Sequence, residues 1–184
     1  TILENPCQEV LQSMITEAHK MEEQGIKAIT TSCGFNSVFQ RELADCVNIP
    51  VFTSSLMQIP LIQNMLKKQQ AVGVMTAKKS ALSEHHLENA GVNKLLPLQI
   101  QGLEVCTEWN KIFSSPDEDI DIFTVENDIV SRACSMMESS DIGAFVLECT
   151  DLPPFSNAVR KATGRPVFDF VTLTNFVYQG IKNC

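Results

Sequence analysis

A chain of 184 residues with 44% hydrophobic content can bury a substantial core, either as one large domain or as two small lobes. Its 14 basic and 22 acidic residues leave a net charge of −8 beside one Trp and one Tyr, a balance that repels phosphate backbones and excludes nucleic acid as a partner. No apolar run is long enough to cross a bilayer, and no basic-then-apolar leader opens the sequence, so a globular cytoplasmic protein with no membrane partner is expected.

In chain order, a helix is predicted over residues 8–23, with Gly25 as its C-terminal cap, and then a strand over 27–31. After Cys33 come a helix over 37–47, a strand over 50–53 and a helix over 59–68. Strand 71–76 leads to a helix from about 80 to 89, closed by Gly91. Residues 95–101 read as a strand and 104–113 as a helix, and the stretch Ser114-Ser115-Pro116-Asp117 is the clearest loop, its acidity that of a solvated surface. A helix over 125–138, a strand over 143–148, a helix after Pro154, a strand over 166–168 and a terminal helix complete the chain. Strands rich in Ile, Val and Phe that alternate with helices predict an α/β fold with a mainly parallel sheet.

The chain contains a repeat. I-K-A-I-T-T-S-C-G-F-N-S-V-F starts at Ile26 and I-G-A-F-V-L-E-C-T-D-L-P-P-F at Ile142, and each cysteine is followed at the same distance by Pro-Val-Phe, at Pro50 and Pro166. Ile, Ala, Cys, Phe, Pro, Val and Phe recur without a gap at one offset, 149 − 33 = 116. Two halves are therefore expected, residues 1–68 and 69–168, with 169–184 a helix that crosses back to the first. The strands at 71–76 and 95–101 have no counterparts in the first half. The repeat thus predicts that roughly 45 residues precede Thr1 in the native protein, and that the first lobe is incomplete with open sheet edges.

Cys33 and Cys149 each close a strand and open a helix, at the carboxyl edge where open α/β sheets bind ligands. The N–H groups that come after each cysteine are expected to lower its thiol pKa from about 8.5. Asn36 or Ser37 is placed to cap the first helix and Asp151 the second, with Pro153 and Pro154 suited to its first turn. Ser32, Asn36 and Thr150 are candidates to hydrogen-bond a substrate carboxylate. Thr53-Ser54-Ser55 either lines the pocket or caps the next helix. Glu148 either tunes its neighbouring thiol or is turned away by strand alternation. Cys7, Cys46, Cys106, Cys134 and Cys184 read as small buried hydrophobes. Seven cysteines without CxxC spacing indicate neither a disulfide framework nor a zinc site. His85 and His86, adjacent on a helix, point apart and share no metal; with His19 they are read as surface or boundary residues.

T-S-C-G-F-N, V-F-T-S-S-L, V-G-V-M-T-A-K-K-S, L-E-C-T-D-L-P-P and P-V-F-D-F-V-T-L, taken in order from about residue 6 to 175, resemble the aspartate/glutamate racemase superfamily, which includes hydantoin racemases, arylmalonate decarboxylases and maleate isomerases. The resemblance implies two pseudosymmetric flavodoxin-like lobes with the active site between them, no metal, no pyridoxal phosphate, and frequently a homodimer. It makes Cys33 and Cys149 the catalytic pair and Thr150 part of the second motif. It also brings Asn36 near a carboxylate-binding asparagine, and Thr76 and Ser80 to positions of family hydroxyls. Asp151 stands where glutamate racemases carry histidine, which disfavours a doubly negative substrate. The expected activity is cofactor-independent racemisation or epimerisation of a small carboxylate, one cysteine removing the α-proton and the other returning it from the opposite face. Decarboxylation, cis–trans isomerisation of a dicarboxylate, and a non-catalytic ligand-binding module are the alternatives.

Overall fold

The computed structural model describes residues 7–115 and 117–183. Helix α1 (Gln8–Glu23) leads to β1 (Ile29–Thr30), a 3-10 segment Gly34–Phe39 that runs into α2 (Gln40–Cys46), and β2 (Val51–Phe52). A second 3-10 segment, Ser55–Gln58, opens α3 (Ile59–Met65). The larger part holds β3 (Ala71–Thr76), α4 (Glu84–Asn89), β4 (Leu98–Gly102), α5 (Thr107–Ser114), α6 (Ile122–Ser139) and β5 (Ile142–Leu147). It continues through the turn Pro153–Phe155, α7 (Ser156–Thr163), β6 (Val167–Phe168) and α8 (Phe170–Ile181).

All strand pairs are parallel: β1 with β2 in a two-stranded sheet, and β4-β3-β5-β6 in a four-stranded one. The larger sheet is doubly wound, with its order reversing between β3 and β5, where α/β folds open a crevice at the carboxyl ends. The repeat persists in the strand register. Ile29 pairs with Val51 and Thr30 with Phe52, while Phe145 pairs with Val167 and Val146 with Phe168, each pair displaced by the offset that separates the cysteines.

Every residue of β3 and β5 is buried, because helices cover both faces of the sheet. Trp109, Ile129 and Val159 from α5, α6 and α7 pack with Met75, Phe145 and Leu147. On the other face Ile59 and Ile62 of α3, Leu87 of α4 and Phe35 pack with Val74 and Val146. The α3 helix, assigned by the repeat to the first half, therefore covers the second sheet. α8 is tied to the turn that opens α3. Gln58 Nε2 donates to the Asp169 carbonyl at 2.9 Å, and Thr172 Oγ1 to Gln58 Oε1 at 2.9 Å.

Several local expectations change. Strands 27–31 and 50–53 shrink to two residues each and, among the described residues, pair only with one another. Strand 95–101 starts at Leu98, since Leu96 N–H turns back to the Asn93 carbonyl and Pro97 has no N–H to give a ladder. Of the helix expected over 37–47, residues 37–39 belong to the 3-10 segment Gly34–Phe39 and the α-helix begins at Gln40; neither Asn36 nor Ser37 caps the segment. Asp151 does not cap the later turn either; Leu152 sits at that position, and Pro153 and Pro154 occupy the first turn as expected. Gly25 adopts φ 82 just past α1, a left-handed geometry that suits glycine. Of the expected loop 114–117, Ser114 ends α5, and Pro116 lies outside the described residues. Among the described residues no helix is long and apolar enough to cross a membrane.

Candidate active site

The carboxyl ends of β1 and β5 bring the two cysteines to one cavity of about 420 Å³, whose wall includes Ser32, Cys33, Phe35, Glu148, Cys149 and Thr150. The two turns are tied together directly. Thr150 Oγ1 donates to the Ser32 carbonyl at 2.6 Å, so the residue after one cysteine holds the residue before the other. Cys33 is half-buried and Cys149 is 9% exposed.

Burial pushes the Cys33 thiol up; N–H groups of Phe35 and Asn36 oppose this, and the charges of Glu148 and Asp151 add to it. Cys149 is pushed up further, first by burial and then by Glu148, against the Asp151 N–H. Its Sγ lies 3.8 Å from Asp151 Oδ2, an arrangement in which a thiol donates to a carboxylate. The sequence-based expectation of lowered thiol pKa values is thus corrected. The backbone N–H groups are present, but desolvation and two neighbouring carboxylates outweigh them.

Glu148, left open between inward and outward, points inward. It is fully buried at the β3/β5 switch point, and Thr76 Oγ1 donates to its Oε2 at 2.8 Å. Its N–H bonds the Met75 carbonyl at 2.8 Å. Its Oε1 has no hydrogen-bond partner among the described residues and lies against Gly34, where an added Cβ would overlap it. Burial raises its pKa to about 7, with the Thr76 hydrogen bond opposing.

The other candidates divide clearly. Ser32 and Thr150 are in the cavity wall, and Thr76 reaches the site through Glu148. Asn36 is buried behind the wall with its Oδ1 unpartnered. Thr53 is fully buried, its hydroxyl and N–H both held by Gln40 Oε1, and Ser54 accepts from the Leu56 N–H as a cap. Ser80 is exposed on the turn Lys79–Ala81, away from the cavity. Lys78, Glu104 and Phe113 also line the cavity and were not singled out. Lys78 carried a signal, lying within the V-G-V-M-T-A-K-K-S motif, whereas Glu104 and Phe113 come from a loop and a helix that nothing in the sequence ties to the cysteines.

Among the remaining cysteines, Cys106 is buried and accepts from Arg132 Nε at 3.0 Å, but Cys7 is exposed at the start of α1, contrary to expectation. Cys184 lies outside the described residues. His86, expected at the surface or at a boundary, is buried; its Nδ1 accepts from the Ser83 N–H at 3.1 Å, and its ring meets Phe35 edge-on at 5.5 Å. Among the described residues no group of three or more His, Cys, Asp or Glu is arranged to hold a metal ion.

No protein-family model matches the chain. It is 31% identical over 170 residues, 86% of its own length and 54% of the other protein's, to a dimethylsulfoniopropionate lyase of Durusdinium sp. clade D. It is 31% identical over 176 residues, 91% of its length and 45% of the other's, to dimethylsulfoniopropionate lyase 3 of Emiliania huxleyi. The chain thus spans about half the length of these curated relatives. Among solved structures it resembles arylmalonate decarboxylase (TM-score 0.64, 15% identity, 97% of this chain and 79% of the other) and glutamate racemase of Bacillus anthracis (0.63, 18%, 94% and 65%). Allantoin racemase of Pseudomonas fluorescens is a further likeness (0.60, 18%, 84% and 61%).

Proposed function

Since the chain has the fold of the aspartate/glutamate/hydantoin racemase superfamily, we propose that it carries the site of an enzyme that removes the α-proton of a small carboxylate and then expels a β-substituent, acting as a lyase on dimethylsulfoniopropionate or a close analogue. The observation that carries this reading is the meeting of Cys33 and Cys149 in one small cavity, in a chain whose relatives are named as lyases of that substrate. Racemisation and elimination share their first step, abstraction of a proton next to a carboxylate. The second step separates them. In racemisation a second acid returns a proton, whereas in elimination the electron pair left on the α-carbon forms a C=C bond as the β-carbon–sulfur bond breaks.

Cys33 is the base in this reading. It is the less buried thiol and has two backbone N–H groups to stabilise the thiolate. Its sulfur takes the α-proton, the sulfonium sulfur leaves with the pair of the broken bond as neutral dimethyl sulfide, and acrylate remains. Thiolate and zwitterion become thiol, neutral sulfide and anion, so charge balances. Cys149, held as a thiol beside Glu148 and Asp151, turns its S–H from Asp151 to the substrate as a hydrogen-bond donor. A substrate cation in the cavity favours the Cys33 thiolate, whose formation is otherwise opposed by burial.

Incubation of the protein with dimethylsulfoniopropionate in D2O, with proton NMR as the readout, tests the reading. Acrylate and dimethyl sulfide should form in equal amounts. Deuterium exchange at the α-carbon with no elimination would instead support a racemase-like activity, and neither change would reject both.

A further inference from the structure

We infer that Glu148 is the specificity-determining residue of the site, its carboxylate selecting substrates that carry an onium cation beside the reacting carbon; the inference deepens the lyase reading and rests on it for the substrate class. The carboxyl is placed rather than incidental. Gly34, next to Cys33, leaves the space that Oε1 occupies, and Thr76 fixes the other oxygen. It lines the same cavity as Cys33 and Cys149.

Among the described residues, the Thr76 hydroxyl is the one hydrogen-bond donor to this carboxyl. Oε1 has no hydrogen-bond partner among them, and their ion pairs do not include Glu148. A fully buried carboxyl without a counter-charge costs stability, which burial expresses by holding it protonated to about pH 7. A cation entering the cavity supplies the missing charge. The wall agrees in sign, with Glu104 and Asp151 also acidic beside Lys78. Ala77, Phe35 and Phe113 give it apolar surfaces suited to methyl groups. A dicarboxylate would meet three carboxylates here; a zwitterion with its positive end inward would not.

Two acids of the same shape, 3-(trimethylammonio)propionate and 4,4-dimethylpentanoate, isolate the charge from the fit. Isothermal titration of the wild-type protein at pH 8 should give a Kd for the onium acid about 10-fold or more below that of the neutral acid. E148Q should erase the preference and leave the Kd of the neutral acid unchanged. In the wild type the preference should also grow as pH rises through about 7, with proton release on onium binding below that pH, neither seen in E148Q. Cys33, Cys149, Asp151, Glu104 and Lys78 face the same cavity, but burial pushes both thiols up from their ordinary value, so a midpoint near 7 belongs to Glu148. A ratio unchanged in E148Q and flat with pH overturns the inference, as does a parallel loss of both affinities or wild-type binding of neither acid. If E148Q does not fold, the wild-type pH series decides alone. A preference that vanishes in E148Q without any elimination would reject the lyase reading and leave the recognition standing; elimination with an unchanged preference would do the reverse.

Discussion

The turns that carry Cys33 and Cys149 extend from strands paired in one register, yet they are electrostatically unequal. The Cys33 turn supplies Ser32, Gly34 and N–H groups and brings no charged side chain of its own; the Cys149 turn supplies Glu148 and Asp151. A duplicated backbone therefore holds two thiols at one cavity while assigning them different proton affinities. In a two-base racemase both thiols must cycle through the thiolate, whereas a lyase needs one base. The deeper burial of one thiol suits the second case.

Breaking that inequality has its largest stability effect at Glu148. Its folded pKa is raised from 4.5 to about 7, so the native state binds the extra proton: the contribution is fully present below pH 4.5 and is lost as pH rises through about 7. E148Q should therefore be more stable than the wild type in denaturant at pH 8, by on the order of 3 kcal/mol, with the gap closing toward pH 4.5. A gap that does not depend on pH would mean that Glu148 ionises as freely as an exposed carboxylate.

Thiol reactivity sharpens the comparison at a smaller scale. Iodoacetamide at pH 8 should modify Cys33 about 10-fold faster than Cys149, read by peptide mass spectrometry, because the thiolate is the reactive form. A bound carboxylate should protect both. The smallest effect is expected where the two turns touch. T150V removes the hydrogen bond to the Ser32 carbonyl and should cost about 1 kcal/mol while lowering activity, the loss of alignment exceeding the loss of stability.

The cysteine pair and the order of elements were legible in the sequence because the duplication kept residue identity and spacing together: a constant offset between residues became a constant offset between ladders. The direction of Glu148 was not legible. Alternation distinguishes faces only when one face is polar, and β5 is buried on both. The thiol pKa values were not legible either, because N–H groups after a strand can be read from sequence, whereas the carboxylates and apolar walls around them depend on packing. Thr53 and Ser54 are drawn toward the pocket by their place after β2, but Gln40, brought back by α2, and the Leu56 N–H take up their hydroxyls. Phe113 and Glu104 enter the wall from segments whose approach to the cysteines only the folded chain defines.

In the proposed reaction Cys33 is the base and Cys149 supports it. Elimination rates for C33A and C149A on dimethylsulfoniopropionate test this most directly, with circular dichroism as the check of folding. The expected losses in kcat are about 1,000-fold for C33A and about 10-fold for C149A. Equal and near-complete losses in both variants would contradict the division of roles, and full turnover by C33A would remove the base itself.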